Sequence, residues 1–407
     1  MGYVKKAAAY LCAALKGMLF IGFSIQILFG ICWIWGNFCH VPSYGEPESA
    51  LYREMLALMG GRPGVLYILQ LAAAFLSGYL FLQKLWPAER GLALWRGLAF
   101  MTMPFALQCH LSLQPYSFRG SVFLLFLLAL LEMFRNRKPG AAPFLAALVW
   151  GVLFIGLLGV TDSDRRDMPG YSPEGALACR FAWPTLWNDY ERYGEEVRVL
   201  PESVVWEATF HPGNMRLFQE SLESQVGVEA AREYYLQMAK VGWDYHAPMI
   251  IRQMGWDILG YGMTPVIFPL QMAGAAYDSY SGRNYEVMRE HTPVLTRNYV
   301  DYGCWWFVWM LALSLLLCLF RALGGGLRRR GIAWKKGIAS VGICCLVSGL
   351  LILFLTMRGA GMMDYRETIA VNELWMTGPL FLIGGRGACG AAGQEETSGR
   401  GHRRKGR

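Results

Sequence analysis

Charge is scarce in this chain. Asp, Glu, Lys and Arg make up 17% of its 407 residues, against about a quarter in an ordinary soluble domain. Hydrophobic residues reach 54% and the mean hydropathy is +0.28, a balance that calls for a bilayer as the main solvent. Histidine is also rare, and His211, His246 and His291 stand too far apart for a metal-ligand motif. The chain contains no P-loop, dinucleotide fingerprint, His-Glu-x-x-His or Gly-x-Ser-x-Gly, so ATPase, Rossmann, zincin and hydrolase readings have no support. No strand-like alternation is sustained in the polar middle of the chain, and no internal repeat is visible. Lys5 and Lys6 precede an apolar run that reaches Trp35 without a small-residue cleavage site, which reads as an uncleaved first span.

Ten cysteines are present, but Cys12, Cys32, Cys109, Cys318, Cys344 and Cys345 sit in apolar runs. Cys39, Cys179 and Cys304 could face an oxidising side. Their spacing fits no zinc or redox motif, and packing is the simplest role for all of them.

A polar block, 162–301, separates two hydrophobic halves. It holds 20 of the 30 acidic residues but 12 of the 38 basic ones, so it is net acidic and the remainder is strongly basic. Short basic runs beside apolar segments are a topology signal, which argues against nucleic acid as a partner. Eight segments approach the roughly 20 apolar residues that a bilayer core of about 30 Å needs: 18–35, 64–82, 97–113, 116–134, 141–160, 303–320, 337–357 and 369–383. The fourth carries Arg119 and Glu132 near its ends, where long side chains can snorkel to headgroups. The third and fourth meet at Gln114-Pro115 as a helical hairpin, and the eighth is short and holds Glu373 and Pro379. Alternate loops hold 21 and 5 basic residues. This assigns the richer set to the cytoplasm, places both termini there and puts 162–301 outside.

The sequence thus predicts an all-α, multi-pass plasma-membrane protein of about eight transmembrane helices. A mainly helical extracytoplasmic domain is inserted between spans five and six. The divisions are 1–161 (five spans), 162–301 (outer domain), 302–385 (three spans) and 386–407 (a disordered basic tail). Within the outer domain, Ser172-Pro173-Glu174 is a helix-start signature. Segments 185–200 and 228–240 read as amphipathic helices, the second with Ala231, Tyr234, Tyr235 and Met238 on one side.

Chemistry can sit in the first outer loop, where Glu46 and Glu48 lie two residues apart just past a membrane end. Such a pair can act as a general base or bind a divalent ion that screens a pyrophosphate; equally, it can start a surface helix. Arg119 at the outer end of the fourth span can hold a lipid phosphate bidentately, or serve as a snorkelling anchor. Arg53 in the first loop, and Arg180 and Trp183 in the aromatic-rich outer block, complete the substrate-binding candidates. Trp and Tyr faces stack on sugar rings but mostly build cores. Coupled transport usually needs ionisable groups at mid-span, and these spans carry few.

An uncleaved first span, an outer loop with the Gly45-Glu46-Pro47-Glu48 stretch, many later spans and a folded outer domain resemble the GT-C superfamily of polyprenyl-phosphate-sugar-dependent glycosyltransferases. The resemblance covers the layout of the chain and, at residue level, that stretch alone. A residue separates the two acids, which the family's tighter pair lacks, and the soluble domain interrupts the spans instead of following them. The resemblance implies an inverting transfer from a lipid-linked sugar donor at the bilayer. One of Glu46 and Glu48 would deprotonate the acceptor, and Arg119 would hold the leaving lipid phosphate. The other class of reading is a non-enzymatic envelope protein whose outer domain docks a partner.

Overall fold

The computed structural model describes residues 2–39, 50–111, 115–135, 140–166, 172–182, 185–186, 190–194, 203–206, 215–263, 294–323, 331–358 and 368–383. Among these residues the regular structure is entirely helical. The elements are α1 (Gly2–Cys39), α2 (Ala50–Leu58), α3 (Pro63–Leu85), α4 (Arg90–Met101), α5 (Pro104–His110), α6 (Tyr116–Arg135) and α7 (Ala141–Arg166). They continue with α8 (Pro173–Phe181), α9 (Met215–Val226), α10 (Val228–Gly262), α11 (Val294–Leu323), α12 (Gly331–Arg358) and α13 (Ile369–Leu382). The basic tail lies outside the described residues.

Four helices are long and apolar enough to cross a bilayer, with candidate spans Ala7–Gly36, Pro63–Leu85, Tyr116–Phe134 and Ala141–Leu158. Helices α11 and α12 carry shorter apolar runs, Trp305–Phe320 and Ser340–Thr356. Two of the eight expected crossings take a different form. The third is split into α4 and α5, which part at Thr102-Met103. Pro104 offers no N–H to continue the ladder and disfavours a helical Met103, and Thr102 turns its hydroxyl back onto the Leu98 carbonyl at 2.8 Å. The eighth is α13, whose 14 residues span about 21 Å, short of a hydrocarbon core of about 30 Å.

This shortest apolar segment is the most enclosed. Ile369, Ala370, Asn372, Glu373 and Leu380 are all buried, with α13 packed on α6, α11 and α4. Around it the bundle core gathers Leu19, Phe23, Phe81, Phe100, Leu127, Phe307 and Ile352. Helix α7 does the reverse, turning Phe144, Leu148, Val152 and Ile155 outward as a lipid-facing helix must. Lys84 and Glu132 join the C-terminal ends of α3 and α6 at 2.9 Å. Arg96 donates to the carbonyls of Trp86, at 3.0 Å, and Ile383, placing a cation on the negative end of α13.

A second, separate core is built by the polar block. Ala178, Leu186, Tyr193, Phe218, Leu222, Ala231, Tyr235 and Met238 pack together from α8, the 3-10 turn Tyr190–Tyr193, α9 and α10. The Ser172 hydroxyl accepts from the Gly175 N–H at 3.0 Å, with Pro173 at the first helical position, as the start signature of α8 requires. Gly227, at a φ of +83°, turns the chain from α9 into α10. Of the helix expected over 185–200, residues 185–186 are helical, 190–193 form the 3-10 turn and Gly194 leaves it at a positive φ; 187–189 and 195–200 lie outside the described residues.

Helix α10 is kinked at His246, where φ and ψ are −127° and 17°, two residues before Pro248. Its first part belongs to the second core. Its second part leaves that core and lies along α12, where Ile258 faces Gly349 and Gly262 faces Ile352. The indole N–H of Trp375 donates to the Gly262 carbonyl at 2.6 Å. The Asn372 amide, oriented to satisfy both its ends, donates to the Tyr261 and Gly262 carbonyls at 3.1 Å each and accepts from the Thr368 hydroxyl. Two side chains of α13 thus cap the last carbonyls of α10, groups that have no partner within their own helix.

Candidate functional site

Polar groups collect around the first two turns of α6. On this helix Ser117, Gly120 and Ser121 are spaced i, i+3, i+4 and share one side, while Arg119 points elsewhere.

Arg119 is buried at 1% exposure, so it turns inward and does not reach the headgroup level expected of a snorkelling anchor. Its Nε–H donates to the Leu157 carbonyl at 3.2 Å, and its guanidinium lies 5.3 Å from the centre of the Tyr116 ring. Arginine suits such a place because its planar cation both stacks and donates. Tyr52 of α2 is also fully buried, accepting from the Gln70 amide at 3.2 Å, with its ring 6.2 Å from that of Phe118. Burial raises the Tyr52 pKa, while the Gln70 hydrogen bond and the Arg119 charge pull it back. The first-loop helix α2 is therefore seated on α3 and α7, beside the start of α6.

Of the candidates read from the sequence, Arg53 and Arg119 belong to this seat. Glu46, Glu48 and Trp183 lie outside the described residues. Arg53 follows Tyr52 on α2 and is exposed. Arg180 is buried in the middle domain, ion-paired with Asp257, which also accepts from the Gln253 amide at 3.1 Å. That pair ties α8 to the second part of α10. Among the described residues no three His, Cys, Asp or Glu side chains converge on a metal position.

The other side of α6 holds two groups that sequence reasoning missed as site residues. His110, the last residue of α5, is fully buried, with Nδ1 2.8 Å from the Ser117 hydroxyl. Glu373 of α13 is 1% exposed, and its carboxyl rests on Gly120: a Cβ there would lie 2.6 Å from Oε2. Glycine at position 120 is what admits the acid. Among the described residues His110 Nε2 and Glu373 Oε2 meet no hydrogen-bond partner. The signal was present in the sequence as an acid within an apolar run, but nothing there showed that Gly120 would open a notch for it.

No protein-family model matches the chain, and neither a curated protein nor a solved structure does. The functional reading therefore rests on this geometry.

Proposed function

We propose that the chain is a membrane glycosyltransferase that moves a sugar from a polyprenyl-phosphate donor to an envelope glycan or lipid acceptor on the outer face. With it goes the plasma-membrane topology of eight membrane segments, both termini cytoplasmic and the middle domain outside. The observation that carries the reading is the seat of α2. Tyr52, buried on Gln70 in the field of Arg119, anchors the first loop beside the start of α6. Glu48 precedes Tyr52 by four residues, a reach of at most about 14 Å. One of Glu46 and Glu48 takes the proton of the acceptor hydroxyl as it attacks the anomeric carbon. The sugar's bond to the lipid phosphate breaks, and the phosphate leaves beside cationic groups. Arg53, exposed on the same helix, is the better placed phosphate ligand, with Arg119 holding the seat from below.

The test uses the purified full chain and a labelled polyprenyl-phosphate sugar. Glu46→Gln or Glu48→Gln should lower transfer by roughly 10²–10⁴-fold, the usual worth of a general base. Full activity in both variants, made singly, removes the mechanism.

The reading as a non-enzymatic docking protein draws on the exposed Trp206, Trp243 and Tyr245 of the middle domain, since aromatic residues favour interfaces. A partner recovered stably with the detergent-purified protein, without any retained lipid-linked sugar, would favour it.

A further inference from the structure

Glu373 and His110 come from different helices, α13 and α5, yet reach the same side of α6 one turn apart. Glu373 rests on Gly120, and His110 on Ser117. Positions three apart on a helix surface have Cβ positions about 5–6 Å from each other, so the two side chains sit on adjacent turns. Both side chains are more than nine-tenths buried, and each presents one polar atom that no described residue satisfies. A buried polar atom left without a partner is costly and rare. Here the two belong to titratable side chains that come from different helices and reach one small-residue face of α6 on adjacent turns. The face itself is polar and slim, made of Ser117, Gly120 and Ser121.

The surrounding charges do not supply that ligand. On α6, Arg119 is turned to the Leu157 carbonyl, and Glu132 pairs with Lys84 of α3 at the far end. On α4, Arg96 is held at the other end of α13 by the Ile383 carbonyl. On α5 the neighbouring titratable group is the Cys109 thiol, and among the described side chains of α11 no charged group pairs with Glu373. An ionised carboxylate in such a core requires a compensating positive charge close by, and the His110 imidazole on the same face of α6 is a group able to acquire one.

We propose that Glu373 and His110 form a proton-exchange site buried in the helix bundle, with the proton as its ligand. The carboxyl gives up its O–H proton and the imidazole Nε2 gains an N–H, turning a neutral pair into a carboxylate and an imidazolium that offset each other. No oxidant, reductant or other reactant is consumed. Gly120 and Glu373 are each the fifth residue of their helix, so the site lies about 6 Å inside the helix starts. A proton held there biases how α5, α6 and α13 pack. The proposal does not depend on whether the chain transfers sugars.

The full-length protein in lipid vesicles is treated with a hydrophobic carbodiimide, which adds to protonated carboxyl groups in apolar surroundings, and modified residues are mapped by peptide mass. Wild type should be modified at Glu373, with the rate falling as pH rises, and Glu373→Gln should lose the label. His110→Gln should move the midpoint of that pH profile by about one unit, tenfold in the proton equilibrium. Ser117→Ala, which removes the hydroxyl holding the imidazole and is the milder change, should move it in the same direction by less. A carboxyl that only fills space would keep one profile in all folded variants, so identical midpoints overturn the proposal. So does absence of label on Glu373 in folded wild type. If His110→Gln does not fold, the Ser117→Ala profile decides.

Discussion

Before its kink, α10 turns Glu229, Arg232, Glu233, Lys240 and Asp244 outward and buries Ala231, Tyr235 and Met238 in the second core. After Pro248 the outward side chains are Met249, Ile251, Arg252, Gln253, Trp256 and Leu259, and the helix lies on α12 and α13. The two stretches are continuous in backbone but suit different surroundings. Water satisfies the charges of the first. The second turns more large apolar residues outward, and side chains of α13 cap its terminal carbonyls. The middle domain is therefore fused to the bundle through α10 and does not hang from it on a linker.

The largest contrast between the two stretches is expected at their glycines. A Cβ on Gly242 would overlap the Phe181 carbonyl, whereas one on Gly255 meets nothing within 4 Å. Gly242→Ala should force α8 and α10 apart and destabilise by about 1–3 kcal/mol or more, as overpacking does. Gly255→Ala should be neutral or stabilising, by up to about 1 kcal/mol, through helix propensity. Thermal unfolding in one detergent compares them, and equal melting temperatures would remove the distinction. Next in size is the junction. Trp375→Phe keeps the ring but removes the donor to the Gly262 carbonyl, and should cost about 1–3 kcal/mol. Protease cleavage near 263 should then accelerate, while sites in α9 keep their rate.

Much of this contrast could be read before any coordinates, though not its turning point. Ser172-Pro173-Glu174 starts α8, and the side of α10 built from Ala231, Tyr235 and Met238 is buried, because caps and periodicity are local properties of the chain. Hydropathy located the four helices long and apolar enough to cross, but not the form of the other apolar segments. An apolar stretch reads alike whether it crosses as one helix, breaks at Thr102-Met103 or ends up enclosed as α13 does. In 249–262 Arg252, Gln253 and Asp257 interrupt the apolar residues, and no periodicity shows that Asp257 pairs with Arg180 of α8. In the sequence Glu373 is only an acid inside a short apolar segment; its place against Gly120 follows from the packing of α13 on α6.

Surface access distinguishes the two stretches without unfolding anything. Lys240→Cys and Trp256→Cys, each in membranes and treated with an impermeant maleimide, should react very differently. The first should label at the rate of an exposed thiol, and the second far more slowly because lipid covers it. Peptide mass mapping keeps the native cysteines apart from the introduced ones. Equal rates would mean that the second stretch also faces water, and its capped carbonyls would then need another explanation.

The smallest effect lies on the aqueous side, at Glu223 on α9. Partial burial raises its pKa most; Arg232 lowers it and Glu220 raises it further. For an acid whose folded pKa exceeds its unfolded one, the folded state binds the proton more tightly. Its contribution is then fully favourable below the unfolded value and is lost as pH rises through the folded value. Glu223→Gln should therefore remove a slight decline in stability above that window while leaving the acidic side unchanged. Because the residue is largely solvated, screening keeps the change small, and added salt should shrink it further. Melting temperatures of the two proteins at low and neutral pH measure it. A larger loss for wild type on the acidic side would reverse the sign and show that Arg232 outweighs burial.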